Sequence, residues 1–354
     1  MDCKTRGLRK RGGSLILKVV KRIFAVMSLA LVCAAGDSLC RSGEEFMALR
    51  NWPVALNYFE RALEENPQLS KAWYGKGLSL CQLQKFDPGL EALGKAVELE
   101  PRNVSYLYVT GVCNEWRGKD GYESAEAYYK KALELMPSQV QLHHKLGSLY
   151  QRQGRYMDAI PEFKKAILLE PKSFISYNNL AGCYLAIHQP EQAVKLYREA
   201  IVRSEDPAEY HFYFELGVAL LAANRMEEAK AAFLIETALS PDFVDARLDL
   251  GNIYVLENNL GRALEEYQEV LAIDPDQPEA YYNLGQIYLS LNQNQLALKR
   301  LQRYVELKPD SGAGHYYLGL TYARLGDRDQ AQAEYDKSLE LGYKAEVMKR
   351  KSEQ

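Results

Sequence analysis

Histidine and cysteine are the residue types best suited to metal binding, nucleophilic attack and proton transfer, and this 354-residue chain holds five of the first and six of the second. The cysteines are Cys3, Cys33, Cys40, Cys81, Cys113 and Cys183; no two stand as CxxC, and their spacings match no zinc pattern. Cys113 and Cys183 fall in apolar helical stretches, where a free thiol behaves as a small apolar side chain. The histidines are His143, His144, His188, His211 and His315, and no HExxH is among them. Nor is there a GxSxG elbow, a P-loop or a glycine-rich nucleotide fingerprint. Ser, Lys and Glu are plentiful but scattered, as on solvated helix faces. The residues therefore point away from an enzyme, and they require no metal and no cofactor.

The order in the chain lies instead in its apolar residues. Between Glu279 and Pro309, Tyr281, Leu284, Tyr288 and Leu291 recur every three or four positions, which predicts one amphipathic helix. A polar turn follows at Asn292-Gln293-Asn294. Leu296, Ala297, Leu301, Tyr304 and Leu307 predict a second helix, closed by Pro309. A helix pair this short cannot bury its apolar face alone and needs copies stacked on both sides. The copies are present. Prolines close them at Pro67, Pro101, Pro137, Pro171, Pro207, Pro241, Pro275 and Pro309, always 34 or 36 residues apart. Gly43, Gly77, Gly111, Gly147, Gly217, Gly251, Gly285 and Gly319 hold a small site in the first helix, with Ala181 in the fifth copy. Ala55, Ala125, Ala159, Ala193, Ala229, Ala263, Ala297 and Ala331 recur early in the second helix. Four residues later come Phe59, Tyr129, Phe163, Tyr197, Phe233, Tyr267, Leu301 and Tyr335. His143 and His315 occupy the place of Tyr281, so they read as packing aromatics, and His188 falls in a turn.

This skeleton resembles the tetratricopeptide repeat family, whose pattern is a 34-residue period with a small residue, an aromatic, an alanine, a second aromatic and a proline. Nine copies run at about 36–69, 70–103, 104–139, 140–173, 174–209, 210–243, 244–277, 278–311 and 312–345. The resemblance implies an all-α, right-handed superhelical solenoid of about nine helix-turn-helix repeats. It implies that first helices line a concave groove that takes up an extended peptide or a partner helix. Residues offset from the packing positions then face the groove. These are Tyr74, Leu78, Cys81, Tyr108, Val112 and Trp116 in the second and third copies, and His144, Ser148, Gln151 and Asn178 in the next two. In the last two copies they are Tyr282, Gln286, Tyr316 and Leu320. The groove is thus expected to be aromatic and apolar near its ends and polar in the middle. Some family members clamp the acidic C-terminus of chaperones with Lys and Asn; Tyr74, Leu78 and Tyr108 stand at the matching places, so that partner is not expected. The implied function is a non-enzymatic protein-binding scaffold or assembly factor. The competing reading is a carbohydrate- or lipid-handling accessory of the cell envelope, with groove aromatics as stacking platforms.

Four residues break the pattern. Glu236 stands where most copies have alanine, and a buried unpaired carboxylate is costly, so it is expected to turn outward while Ala238 takes its place. Val270 and Tyr304 are also large there, which predicts looser stacking toward the C-terminus. Pro161 lies slightly deeper than Pro53, Pro88 and Pro190 and is expected to shift the start of its helix.

Residues 1–36 hold eight Lys/Arg and one acid, leaving 36 basic and 46 acidic residues, a net charge of −10, for the rest. An acidic body without a basic stripe argues against nucleic acid and against an anionic membrane surface. The basic start is followed by uncharged Ile23–Gly36, shorter than the roughly 20 residues that cross a bilayer. This is the outline of an export signal peptide with a small-x-small site at Ala34 and Gly36. Asp37 would then cap the first helix. A longer segment from Leu15 would instead be an uncleaved signal anchor, the chain's only contact with membrane; Cys33 and Cys40 lack the small preceding residue of a lipoprotein site. Residues 346–354 form a charged tail. The protein is therefore expected to be exported, periplasmic or extracytoplasmic, either soluble or tethered. N-terminal mass analysis of the protein from its own cells is expected to show a start at or near Asp37; an intact leader in soluble cytosol overturns export.

Overall fold

Apolar residues at helical spacing, punctuated by a turn and a proline in every copy, leave little choice of local structure. The computed structural model describes residues 36–204 and 211–343. The leader with Cys3 and Cys33, the stretch around Pro207 and the charged tail lie outside the described residues. Within them are eighteen α-helices and no strand. The first helices of the copies are α1 (36–48), α3 (Ser70–Gln82), α5 (Val104–Trp116), α7 (Val140–Arg152), α9 (Phe174–Ala186), α11 (Phe212–Ala222), α13 (Val244–Leu256), α15 (Pro278–Ser290) and α17 (Gly312–Leu325). The second helices are α2 (Trp52–Glu65), α4 (Phe86–Leu99), α6 (Tyr122–Leu135), α8 (Tyr156–Leu169), α10 (Pro190–Arg203), α12 (Met226–Leu239), α14 (Leu260–Ile273), α16 (Asn294–Leu307) and α18 (Arg328–Glu340).

The helices form two compact units, one ending at Ser176 and one beginning at Tyr177. In the N-terminal unit each helix from α2 to α8 packs on the next, and α3 also touches α5. In the C-terminal unit the same succession runs from α10 to α18, and α15 also touches α17. Each unit is therefore a stack of helix pairs in which a pair touches its neighbours, as a repeat solenoid does.

The seat of each pair is the ring of the second helix against the small residue of the first. Phe59, Tyr129, Phe163, Tyr197, Phe233 and Tyr267 are all buried. A Cβ built on Gly251 would lie 2.5 Å from Cε1 of Tyr267, so the ring occupies the room that glycine leaves. Ala181 is buried in the fifth copy together with Tyr197, so a methyl group is tolerated where the backbone adjusts.

The turns carry a constraint of their own. Arg50, Gln84, Gly118, Gly154, His188, Asn224, Asn258, Asn292 and Gly326 hold the same place in successive copies, and all have φ between 56° and 89°. In most copies the next N–H then reaches back to the carbonyl five residues earlier, as Gln293 does to Tyr288 at 2.8 Å, and so satisfies the end of the first helix. Glycine and asparagine suit this left-handed conformation, which explains six of the nine residues. The longer turn of the third copy winds into a 3₁₀ helix, Lys119–Gly121. A Cβ on Gly121 would come 1.9 Å from the Asn114 carbonyl oxygen.

Several expectations need correction. Pro161 does not shift its helix: α8 starts at Tyr156, in register with the other second helices, and Pro161 sits inside it on the exposed side. Asp37 lies within α1 rather than ahead of it, because the helix already includes Gly36, which packs near Ala62 and Asn66. The C-terminal stack is not loosened. Val270 is fully buried with Ala280 in one core cluster. Tyr304 finds room because the next copy offers Gly314, where a Cβ would lie 2.5 Å from Cε1 of Tyr304.

Glu236 does not turn outward. α12 runs without a frame shift and Glu236 is 0% exposed. Its carboxylate is satisfied on both oxygens. Nδ1 of His211 lies 2.7 Å from Oε1, and the Phe214 N–H donates to Oε2 at 3.2 Å. Phe214 stands in the first turn of α11, where a backbone N–H has no acceptor within the helix. The carboxylate thus caps a short helix from below, and the His211 ring, stacked on Phe243 at 3.9 Å, closes the site. Glu236→Ala is expected to cost about 2 kcal/mol, since it strands a buried donor, although alanine is the residue of other copies. His211→Ala is expected to cost less, and the double variant less than the sum by about 1 kcal/mol. Denaturant melts of the four proteins check this; additive costs would contradict the pairing.

Candidate partner-binding site

Among the described residues, the cysteines and the packed histidines are spent on structure. Both ring nitrogens of His143 face acceptors, Glu162 at 2.7 Å and the Pro137 carbonyl at 3.0 Å. His315 repeats the arrangement with Glu334 at 2.6 Å and the Pro309 carbonyl at 3.0 Å. Trp73, Arg247 and Tyr281 reach the same proline carbonyl in their own copies, so this place ties each first helix to the proline before it. Cys40, Cys81, Cys113 and Cys183 are free thiols and buried. Burial pushes Cys40 and Cys183 up to about 11, and the adjacent Cys81 thiol together with burial pushes Cys113 higher still. Among the described residues no group of three His, Cys, Asp or Glu is placed to hold a metal ion.

The first helices instead line clefts. In the N-terminal unit, Tyr74 of α3, Ser105, Tyr108 and Val109 of α5, and Gln141 and Leu142 of α7 enclose a cleft of ≈ 440 Å³ with Met136 and Gln139. Tyr74 stacks on Tyr106 with ring centroids 4.9 Å apart, and Tyr108 lies 6.2 Å from Tyr129. Burial raises the phenol pKa of both cleft tyrosines, so they stay neutral walls. Leu78 packs on the buried cluster of Cys81, Leu93 and Cys113, and Val112 is half-buried beside it in sequence. Trp116 is not brought to this cleft. It is 44% exposed and borders a separate hollow with Cys81, Gln82, Gln84 and Phe86. Nε2 of His144 lies 2.8 Å from the Ser176 hydroxyl, and burial lowers the His144 pKa. Ser148 and Gln151 are half-buried.

In the C-terminal unit a cleft of ≈ 470 Å³ is lined by Phe214, Asp245, Leu248, Asp249, Asn252, Glu279, Tyr282, Asn283 and Tyr304. Of the sequence-derived groove residues only Tyr282 belongs to it. Tyr282 is braced by Tyr304 at 4.9 Å and Tyr317 at 5.6 Å. Gln286 lines the neighbouring hollow. Tyr316 does not line the cleft but joins Tyr282 through their shared neighbour Tyr317, in a cluster with Tyr335 and Tyr343, and Leu320 packs on the core. Asn178 accepts the buried Tyr197 hydroxyl at 2.7 Å, which makes it a support for the core as much as a groove residue. Sequence reasoning missed the carboxylates of this cleft. Asp245 and Asp249 hold the repeat positions of Ser105 and Val109, which are not among the sequence-derived groove offsets.

Models described as tetratricopeptide repeat match residues 40–87, 74–140, 184–242 and 282–345, and 138–206; a TPR repeat model matches 251–292. The chain belongs to the tetratricopeptide repeat family. A TPR repeat-containing protein of Methanocaldococcus jannaschii is 24% identical over 172 residues, 45% of this chain and 30% of its own length. The BBSome complex member BBS4 of Bos taurus is 26% identical over 231 residues, 64% of this chain and 43% of its own. The match thus spans less than half the length of either relative. Among solved structures, the C-terminal part of a TPR repeat-containing protein of Cytophaga hutchinsonii superposes with a TM-score of 0.61 at 15% identity, covering 69% of this chain and 99% of its own. That likeness is one of fold.

A third cleft of this TPR chain, ≈ 820 Å³, lies beside α6 and holds Lys119, Lys130, Arg152 and Arg155 with Glu123 and Glu126. Its charges are largely matched within the protein. Glu126 pairs with Lys130 and Arg155, both at 2.7 Å, and accepts from the Tyr150 hydroxyl at 3.0 Å. Arg152 reaches buried Glu115 at 2.6 Å, and Tyr129 donates to the same carboxylate at 2.7 Å. Burial pushes Glu126 up, but the hydrogen bonds from Lys130, Arg155 and Tyr150 outweigh it and hold the carboxyl at about 2, against an ordinary 4.5. A depressed folded pKa means the pair stabilises above pH 4.5 and loses that contribution as pH falls toward 2. The cations are substantially solvated, so screening keeps the effect small. Thermal melts are expected to show wild type above Glu126→Gln at neutral pH, with the gap closing across that acid window; a gap independent of pH would contradict the assignment.

Proposed function

We propose that this TPR protein is a non-enzymatic scaffold, or an assembly factor, that holds a segment of a partner protein against its first helices. The observation that carries this reading is the pair of preformed clefts. Each is walled by aromatic side chains already braced by ring contacts, so little ordering cost falls on the protein when a segment is taken up. Clefts between first helices are open along one side, which suits an extended or helical segment. The similarity to a protein named as a member of a multiprotein complex supports the same class of role. We further propose an extracytoplasmic location, on the composition of the leader.

The test is selection of displayed peptides against the full chain, with a glycan array in parallel. Selected peptides are expected to lose about thirtyfold in affinity on Tyr108→Ala or Tyr282→Ala, as an aromatic anchor worth about 2 kcal/mol does. Circular dichroism checks that each variant remains helical. Glycan binding that responds to those substitutions, with no peptide selected, would move the assignment to the carbohydrate reading.

A further inference from the structure

The two aromatic clefts are one construction used twice. Tyr74, Ser105, Tyr108, Val109 and Gln141 in the N-terminal unit hold the same repeat positions as Phe214, Asp245, Leu248, Asp249 and Glu279 in the C-terminal unit, and all ten line their clefts. The aromatic and apolar walls are kept at Phe214 and Leu248. Three neutral places, Ser105, Val109 and Gln141, have become carboxylates.

Among the described residues no cation is paired with them. The C-terminal cleft has no Lys or Arg in its lining, and Asp245, Asp249 and Glu279 form no ion pair among the described residues. Arg247, on the same helix, is turned to Glu266 at 3.1 Å. Asp249 has only a long contact from Asn252 Nδ2 at 3.4 Å, and burial raises its pKa, with the nearby Asp245 adding to the effect. Asn252 is held in place as it accepts from Tyr267 at 2.7 Å and from Asn283 at 3.1 Å. Elsewhere carboxylates beside cations are paired, as Glu126 is. The three carboxylates do not converge on one point as metal ligands would; they are spread along an aromatic-walled cleft. A planar guanidinium fits that pattern, because it stacks on a tyrosine face and gives paired hydrogen bonds to carboxylates.

We infer that the C-terminal cleft takes up an arginine-bearing extended segment of a partner protein, with guanidinium groups between Tyr282 and the carboxylates of Asp245, Asp249 and Glu279. The inference rests on the scaffold reading and adds the partner's charge to it. It also divides the protein's surface by role, since the uncharged N-terminal cleft has no such preference.

Fluorescence anisotropy of the full chain with labelled nonapeptides of alternating alanine and arginine, and with the matched citrulline peptides, tests it. The arginine peptide is expected to bind at least tenfold more tightly, and the advantage is expected to shrink as salt screens it. The isosteric double variant Asp245→Asn, Asp249→Asn is expected to abolish the difference, while the exposed control Asp87→Asn leaves it. Equal binding of the two peptides, with both weakened by Tyr282→Ala, would overturn the charge inference and keep the scaffold. Failure of every peptide, including those from display, would overturn both. Displacement of the arginine peptide by an equal concentration of spermine would assign the cleft to free polyamines and overturn the peptide source. Tighter peptide binding after removal of residues 344–354 would make the chain's own tail the occupant, again against the inference.

Discussion

A pair of short helices cannot keep its apolar faces dry, and everything else in this chain follows from how that is solved. The solution is a ring from the second helix pressed against a first-helix backbone that has no side chain in the way, as Tyr267 is against Gly251. The ring is then covered by the next pair. Because burial is completed only by a neighbour, no pair is an independent body, and the order of copies becomes a structural quantity.

The same rings connect the core to the clefts. Where the seat is a tyrosine, its hydroxyl emerges at the first-helix face and must find an acceptor. Tyr129 uses Glu115, Tyr197 uses Asn178 and Tyr267 uses Asn252, all at 2.7 Å. Asn252, which lines the C-terminal cleft, is thus held by a bond from below.

Most of the fold was legible because its signals are local and periodic. The prolines, the small residues and the ring positions report on backbone geometry that recurs from copy to copy. The site was legible only in part. Tyr74, Tyr108 and Tyr282 were found because they stand out as aromatics at groove offsets. Asp245, Asp249 and Glu279 were not, since a carboxylate on a solvated helix looks the same in sequence whether it faces a cleft or bulk water. Glu236 failed for a different reason. Its partners, His211 and the Phe214 N–H, belong to the preceding helix, and a one-dimensional pattern does not show that a helix begins late and needs an acceptor beneath it.

The contact of Tyr304 with Gly314 gives the array an address. Repeat proteins are often pictured as beads that can be duplicated, deleted or exchanged along the string. At this junction the bead after the tyrosine must carry a glycine, whereas Val270 shares its cluster with Ala280. Excising residues 278–311 would bring Val270 up to Gly314 and leave a hole where a ring had been, and duplicating them would drive the tyrosine into the methyl of Ala280. The C-terminal pairs are therefore keyed to their places.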